Sequence, residues 1–270
     1  MQEKLKIGII GLGLIGGSIE KCLQQSPEQF EIFSVSESQK RPYKIENLIE
    51  CDVVFLCAEQ SKLALQLDKI AQIISRSGQE GHISEEQRAF AKTIITDVAS
   101  TKHLFCQKAT DLGLKNFIGG HPMAGTEHKG FEASDASMFK EATWILTDRN
   151  AVLEEIITKY LGAKVLIMDS ETHDKSVAVV SHLPLLLSLG LADMAINMPQ
   201  VAKVIGPGFK GMTRLAKGNP ELGREIISLN RSNIKDAWDL FKTEIETLLE
   251  IKGPSLEEEL KLIKEKILCL

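Results

Sequence analysis

Two hydrophobic periods alternate along the first 169 residues of the chain. Residues 6–10 form a short apolar run that ends in glycines, and residues 14–23 then place apolar side chains at helical spacing. This pattern predicts a strand, a tight turn and a helix. Comparable strands are predicted, with helical spacing between most of them, at residues 31–35, 52–58, 93–97, 116–120, 143–147 and 164–168. The alternation predicts an α/β fold in which a doubly wound, Rossmann-type parallel sheet forms the N-terminal domain.

The pattern changes near Asp169, because the rest of the chain shows helical periodicity and almost no strand runs. We therefore predict a dinucleotide-binding domain over residues 1–169 and an all-helical substrate-binding and dimerisation domain over residues 170–270. Long helices are expected at residues 226–249 and 256–270. This part offers more apolar helical surface than ~100 residues readily bury, which predicts a homodimer formed through the helical domain.

Two segments depart from a regular alternation of strands and helices. Residues 36–51 are too few for a full crossover helix, and Pro42 limits any helix there. Residues 75–92 are long and charged, and we expect a helical excursion on the surface.

The turn after the first strand has the sequence GLGLIG, residues 11–16. A lone GxGxxG pattern is weak evidence, but here it follows a strand and opens a helix, as dinucleotide binding requires. Gly11 permits the tight turn, Gly13 lets a pyrophosphate approach the backbone, and Gly16 lets helix and strand pack closely. The first helical amides, at Leu14 and Ile15, would face the phosphates.

The choice between NAD and NADP is expected to depend on the end of the second strand. An acidic residue there would bind the ribose hydroxyls, but Ser36 occupies the position and Glu37 follows it. Ser36 can hydrogen-bond a 2′-phosphate with Lys40 or Arg41 as counter-charge, whereas Glu37 can bind a free ribose. A simple solvated loop is an equal alternative, so the sequence leaves the cofactor as NAD or NADP.

Composition excludes several classes of protein. Of the 270 residues 43% are hydrophobic and 26% charged, with a net charge of −5, which describes a soluble globular protein and argues against a nucleic-acid partner. The overall charge does not attract anions, so an anionic substrate needs a local cation. The longest apolar stretch, residues 177–198, contains His182, Pro184 and Asp193 and suits a buried helix better than a membrane span.

The cysteines and the N-terminus indicate where the protein works. Five cysteines without CxxC or zinc-ligand spacing predict reduced thiols and no metal site. No leader is apparent before the first strand, so we expect a cytoplasmic protein. The cysteines are Cys22, Cys51, Cys57, Cys106 and Cys269.

Candidate chemistry lies after two further strands. His121 in GHPMAGTE (residues 120–127) would lie at the carboxyl edge of the sheet, where its imidazole can take a proton from a substrate hydroxyl. The segment TDVASTK (residues 96–102) ends another strand at the same edge and contributes Asp97, expected near the cofactor, and Ser100. Lys102 is expected to be solvated. Without further motifs, a histidine after a strand is more often structural.

Two motifs in the helical part change that interpretation: SHLP at residues 181–184 and GFKGMTR at residues 208–214. Together with the glycine turn, HPMAGTE and Ser100, they resemble the prephenate/arogenate dehydrogenase family in type, order and approximate spacing. The resemblance spans residues 5 to about 220. It implies NAD(P)-dependent oxidative decarboxylation of prephenate or arogenate in tyrosine biosynthesis.

The resemblance also implies roles for individual residues. His121 would accept a hydrogen bond or proton from the C4 hydroxyl while hydride leaves C4, and Ser100 would orient both groups. Arg214 would pair with a substrate carboxylate, with a surface ion pair as its alternative. Ser181 and His182 are expected to bind substrate, His182 having a structural hydrogen bond as an equal alternative.

The loop after His121 and the residue after the SHLP motif bear on how the substrate is bound and which substrate is used. Thr126 is expected to bind substrate and Glu127 to brace the loop. Many prephenate-using members have SHLPH where this chain has Leu185, which mildly favours arogenate or a relaxed enzyme. Two rival hypotheses stay open: another two-domain hydroxy-acid or imine dehydrogenase, and a dinucleotide-binding sensor without turnover.

Overall fold

The N-terminal part is built on a five-stranded parallel sheet. The structure, a computed structural model, describes residues 3–75, 92–126, 128–198 and 200–269. The strand order is β2-β1-β3-β4-β5, with every neighbouring pair parallel. A crevice is therefore expected at the carboxyl ends of β1 and β3, where the order reverses. The strands are β1 (Leu5–Ile10), β2 (Phe30–Val35), β3 (Val53–Leu56), β4 (Ile94–Asp97) and β5 (Phe117–Ile118).

Both faces of this sheet are buried. Along β1, Ile7 and Ile9 belong to one apolar cluster and Ile10 to another, because successive side chains of a strand point to opposite faces. Helices cover the two faces, which confirms the doubly wound, Rossmann-type fold. They are α1 (Leu14–Leu23), α2 (Gln60–Ser75), α3 (His103–Asp111) and α4 (Ala151–Glu155), the last continued by a π-helical turn at Ile156–Tyr160.

The predicted strand at residues 116–120 is wrong as a single element. The chain divides at Gly119 into β5 and β6 (Gly120–Pro122), and β6 belongs to a second, three-stranded sheet. In that sheet β6 pairs antiparallel with β7 (Thr143–Leu146), which pairs parallel with β8 (Lys164–Ile167). A Cβ atom on Gly120 would lie 2.5 Å from the Asp97 carbonyl oxygen, so only glycine fits this approach to the end of β4.

The connection between β2 and β3 is short, as predicted. Its helical segment is the 3₁₀ helix Ile45–Glu50. The charged excursion predicted at residues 75–92 lies almost wholly outside the described residues.

Beyond Asp169 the described chain is helical. Asp169 accepts hydrogen bonds from the backbone amides of Glu171 and Thr172 and so caps α5. The elements are α5 (Ser170–Val177), a π-helical turn (Ala178–His182), α6 (Leu183–Ile196), α7 (Pro207–Met212), α8 (Pro220–Leu229), α9 (Arg231–Glu250) and α10 (Pro254–Ile267), with 3₁₀ turns at Val201–Val204 and Leu215–Lys217.

The helix predicted at residues 226–249 is interrupted. Asn230 leaves the helical conformation (φ −116°, ψ 23°) between α8 and α9 and turns a buried side chain toward α5. Helical periodicity does not show this break, because the apolar spacing continues on both sides of it.

Glu225 of α8 joins the two parts of the molecule. Its buried carboxylate accepts hydrogen bonds from the amides of Gln60 (3.3 Å) and Ser61 (3.1 Å), at the start of α2. A carboxylate at a helix N-terminus satisfies free amides and opposes the helix dipole. The helical part thereby contacts the carboxyl edge of the sheet.

The segment Ser170–Ile196 is one 27-residue helical run with a mean hydropathy of 1.7, and by length and composition alone it could cross a membrane. Only 17% of its most apolar stretch is fully buried in the single chain, contrary to the buried helix predicted from the sequence. The π-helical turn and buried His182 interrupt its regular geometry. Its exposed apolar side chains include Val179, Val180, Leu189, Met194 and Ile196.

Candidate active site

The glycine turn has the geometry that a pyrophosphate needs. Gly11 has φ +98°, and a Cβ atom there would lie 2.8 Å from the Ala58 amide nitrogen. A Cβ atom on Gly16 would overlap the Gly11 carbonyl oxygen, so this glycine lets α1 pack on the turn. Space within 4 Å of a Cβ at Gly13 is open. Gly11 and Gly16 therefore pack tightly against the protein, while the space beside Gly13 is free for a ligand.

The N-terminus of α1 supplies the donors. Gly13 precedes the helix without a side-chain cap, and the first turn contains no acidic residue. The Gly17 amide bonds to the Gly13 carbonyl at 3.0 Å. The preceding amides, at Leu14, Ile15 and Gly16, have no partner within a helix. They can bind an anion at the positive end of the helix dipole.

A cleft of about 610 Å³ opens at the end of β2, beside Ser36. Four cationic side chains and two carboxylates line it, together with apolar and neutral polar residues. Arg41 is fixed in this cleft, because its guanidinium lies 2.7 Å from the buried carboxylate of Glu20 and its amide bonds to the Ser36 carbonyl at 3.2 Å. The six charged residues are Lys40, Arg41, Lys44, Lys69, Glu37 and Glu46.

Asp97 and Lys102 form an ion pair with no exposed side-chain surface. The other contacts of the Asp97 carboxylate are the amides of Gly120 (3.0 Å) and Ala99 (3.1 Å), and the Lys102 ammonium also donates to the Gly120 carbonyl at 2.6 Å. The expectation that Lys102 is solvated is wrong. The side chain of Asp97, predicted to bind the cofactor, is fully buried, and its pair with Lys102 fixes the residue before His121.

His121 lies in β6 and is buried. Its Nδ1 atom is 2.9 Å from Nε2 of His173, and Nδ1 of His173 is 2.7 Å from an Asp174 carboxylate oxygen. Burial, reinforced by the Lys102 cation and by His173 and His182, holds the pKa of His121 well below its usual value. His121 is therefore a neutral imidazole at neutral pH, the form that accepts a proton.

Asn230 connects the same network to His182. Its side-chain nitrogen donates to the Asp174 carbonyl at 2.7 Å and lies 2.9 Å from Nδ1 of His182. Its oxygen accepts from Asn233, so the orientation of the amide is determined. Nδ1 of His182 is thus an acceptor, and in the neutral ring the proton lies on Nε2.

Nε2 of His182 is buried and has no hydrogen-bond partner among the described residues. Burial lowers the pKa of this histidine to about 4; the Asp174 charge opposes that shift and His173 adds to it. A buried donor without a partner is costly unless a ligand supplies an acceptor. This favours the substrate-binding alternative for His182, while its Nδ1 contact provides the structural hydrogen bond.

The other predicted site residues differ in burial and in their contacts. Ser100 is half-buried between β4 and α3, and no recorded hydrogen bond joins it to His121, whose Nδ1 contacts His173 instead. Ser181 is half-buried in the π-helical turn. Thr126 is exposed and accepts the His128 amide at 3.2 Å. Arg214 is exposed before a 3₁₀ turn, and no ion pair recorded for the described residues includes it. Glu127 lies outside the described residues.

Sequence reasoning missed four residues of the network. They are Lys102, His173, Asp174 and Asn230, all buried. The available signal was the adjacent His173-Asp174 pair, two titratable residues in the polar first turns of a helical run that is apolar from Val177 onward. Asn230 gave no comparable signal, because a lone asparagine ordinarily marks a turn.

Profiles of known families match both parts of the chain. The profile described as prephenate dehydrogenase, nucleotide-binding domain, matches residues 33–164, and that described as prephenate dehydrogenase, dimerization domain, matches residues 169–263. Among curated proteins, a prephenate dehydrogenase of Lactococcus lactis subsp. cremoris is 31% identical over 262 residues, which covers 90% of this chain and 70% of that protein.

Solved structures resemble the whole molecule. Prephenate dehydrogenase from A. aeolicus, in complex with hydroxyphenyl propionate and NAD+, has a TM-score of 0.83 at 27% identity, covering 98% of both chains. Synechocystis arogenate dehydrogenase has a TM-score of 0.78 at 25% identity, covering 97% of this chain and 98% of that one. The similarity therefore includes the glycine turn, the sheet edge and the helical part together.

Proposed function

Because the chain belongs to the prephenate dehydrogenase family, and is thus a nicotinamide-dependent oxidoreductase, we propose that it oxidises and decarboxylates prephenate, arogenate or both in tyrosine biosynthesis. The observation that carries the proposal is a buried, neutral His121 at the sheet edge that also presents the glycine turn. A neutral imidazole at this edge is suited to accept a hydroxyl proton.

The proposed reaction uses three groups of the substrate ring: the C4 hydroxyl, the C4 hydrogen and the C1 carboxylate. Nε2 of His121 takes the hydroxyl proton as C4 is oxidised. The glycine turn at residues 11–16 would hold the nicotinamide cofactor, which would supply the acceptor for the hydride lost from C4. The C1 carboxylate leaves as carbon dioxide, and its bonding electrons complete the aromatic ring. The C4 oxygen then takes the proton back from Nε2 of His121, which yields the phenol, and aromatisation makes the reaction irreversible.

Other residues of the chain bind and orient the substrate. We assign the Ser100 hydroxyl to the substrate hydroxyl, Nε2–H of His182 to a substrate acceptor, and Arg214 to a carboxylate. Ser181 and Thr126 complete the proposed contacts. Leu185 of α6 packs in the apolar cluster that α6 forms with α8 and α9, and it adds no polar group, which supports relaxed discrimination between keto and amino side chains.

The functional test is turnover with each of four pairs, prephenate or arogenate with NAD or NADP, followed as reduced nicotinamide. We expect oxidation in at least one pair. Cofactor binding without turnover in any pair would favour the dinucleotide-binding sensor, and turnover confined to other hydroxy acids or imines would favour the rival dehydrogenase.

The same assay tests the cofactor choice, which we infer to be NADP. Besides Arg41, which is paired with Glu20, the cleft beside Ser36 carries three lysines against two carboxylates in a chain of net charge −5, and Ser36 replaces the acidic residue that would repel a 2′-phosphate. Because charge-assisted hydrogen bonds contribute about 1.5–3 kcal/mol each, kcat/KM should be at least about tenfold higher with NADP. A preference for NAD would contradict this inference.

Arg214→Ala should weaken substrate binding specifically. Loss of a guanidinium–carboxylate pair should raise the KM for substrate about 10- to 100-fold, because a charged hydrogen bond contributes about 1.5–3 kcal/mol. The KM for the cofactor should change little. Lys217→Ala, at an exposed cation of the adjacent 3₁₀ turn, controls for general electrostatic attraction. Equal effects of the two variants on the substrate would remove Arg214 from the site.

We also propose that the division into domains falls at residue 169 and that residues 170–270 form a homodimer. The exposed apolar side chains of the Ser170–Ile196 helix, and Trp238 and Leu249 of α9, support an interface. Sedimentation should give twice the 29.8 kDa mass of one chain. A monomer at micromolar concentration would refute the proposal. The five free cysteines are compatible with the proposed cytoplasmic location.

A further inference from the structure

We infer that His173 is a positioning residue that fixes the tautomer of His121, so that Nδ1 of His121 carries the proton and Nε2 is free to accept one. The inference rests on the proposed role of His121 and assigns the residue that prepares it. It is based on a continuous hydrogen-bonded chain, His121–His173–Asp174, in which His173 and Asp174 belong to the helical part of the protein.

Asp174 is the end of this hydrogen-bonded series, and backbone amides hold it in place. One carboxylate oxygen accepts the Lys102 amide at 2.7 Å, and the other accepts the His103 amide at 3.0 Å, at the N-terminus of α3. Burial opposes ionisation, but the His173 hydrogen bond and the two amides outweigh it and keep the pKa of Asp174 below its usual value. Asp174 is therefore an anion that only accepts hydrogen bonds.

The tautomers follow from that acceptor. With one ring proton, His173 must carry it on Nδ1, the atom that lies 2.7 Å from the Asp174 carboxylate. Nε2 of His173 is then an acceptor, so the contact at 2.9 Å requires that Nδ1 of His121 donates. The remaining nitrogen of His121, Nε2, has a free lone pair, as a general base requires.

Within the part of the chain that the structure describes, the recorded hydrogen-bond partner of the His121 ring is His173. The charged and titratable groups that contribute to its environment are Lys102, His173 and His182, and the Asp97 carboxylate is occupied by Lys102 and two amides. No other hydrogen bond to the His121 ring is recorded among the described residues. Without His173, Nδ1–H would be buried without a partner, and the opposite tautomer or a rotated ring would be favoured.

His173→Leu removes the acceptor, and His173→Gln offers an amide oxygen in its place. We expect kcat to fall about 10- to 100-fold in the leucine variant, the range seen when partners that orient a histidine are lost, with the KM values for substrate and cofactor within about threefold. The glutamine variant should recover a large part of kcat. Lys175→Leu, at an exposed residue of the same helix, should leave kcat unchanged.

Nitrogen-15 NMR of the histidine rings tests the tautomer without turnover. In the wild-type protein His121, assigned through His121→Asn, should be protonated at Nδ1, and in His173→Leu it should change tautomer. A wild-type His121 protonated at Nε2, or an unchanged kcat in His173→Leu, would overturn the inference. Loss of kcat with an unchanged tautomer, or loss that glutamine does not relieve and that parallels a fall in Tm, would show a purely structural role. Because the NMR result does not depend on substrate, it distinguishes failure of this inference from failure of the proposed function.

Discussion

Lys102→Met should destabilise the protein by about 3–5 kcal/mol, because it leaves the Asp97 carboxylate charged, buried and without its counter-ion. Methionine follows the lysine side chain as far as Cε, with sulfur in place of Cδ, and lacks the terminal ammonium, so packing of the stem changes little. The Gly120 carbonyl also loses a donor, which frees the start of β6 beside His121. Urea unfolding followed by circular dichroism measures the difference in free energy, and activity should fall in parallel as β6 loosens.

A double-mutant cycle isolates the charge pair. Asp97→Asn combined with Lys102→Met removes both charges and should be more stable than Lys102→Met alone, because no uncompensated buried charge is left. Lys62→Met breaks an ion pair with Glu59 in which both side chains are more than half exposed, and it should have little effect. If Lys102→Met were no more destabilising than Lys62→Met, the pair would not stabilise the fold.

Elements that depend on neighbours in sequence were predictable. The first strand, the glycine turn and α1 follow from local spacing, and all four other strands of the parallel sheet overlap their predicted ranges. The missed break at Gly119 shows the limit of this reasoning. An apolar run continues through residue 118, and the chain leaves the sheet after it because Gly119 and Gly120 permit a close approach to Asp97. That approach is a tertiary contact across 23 residues.

The sequence motifs identify His121 and His182, but they do not show the contacts that determine which ring nitrogen of each histidine carries the proton. His121 meets His173 across 52 residues, and Asn230 meets His182 across 48. Side chains such as Lys102 are assigned to solvent by type, because lysine is rarely buried without a partner. The sequence predicts that its partner, Asp97, binds the cofactor. The ion pair between Lys102 and Asp97 therefore explains why both side chains are buried. A pair of this kind can be recognised only once the fold is known.

His121→Asn should lower kcat about 10²- to 10⁴-fold, the usual cost of losing a general base. Asparagine can still donate to His173 through its amide, so the buried contact at Nδ1 is approximately preserved while the proton acceptor at Nε2 is lost. His128→Asn, at an exposed histidine of the following loop, is the matched control and should retain full activity. Nearly full activity in His121→Asn would exclude His121 as the base.

The pH profile separates a lost base from a disturbed site. Burial and the Lys102 cation hold the pKa of His121 well below 6.5, and the neutral ring is the active form. Activity of the wild-type enzyme should therefore be constant through neutral pH and fall only as the pH drops through this lowered pKa. In His121→Asn this fall in activity at low pH, the acid limb of the profile, should disappear along with most of kcat, because no imidazole remains at this position to be protonated. A limb that persists in His121→Asn would belong to another group, and one that appears near pH 6.5 in the wild type would contradict the buried, cation-facing position of the base.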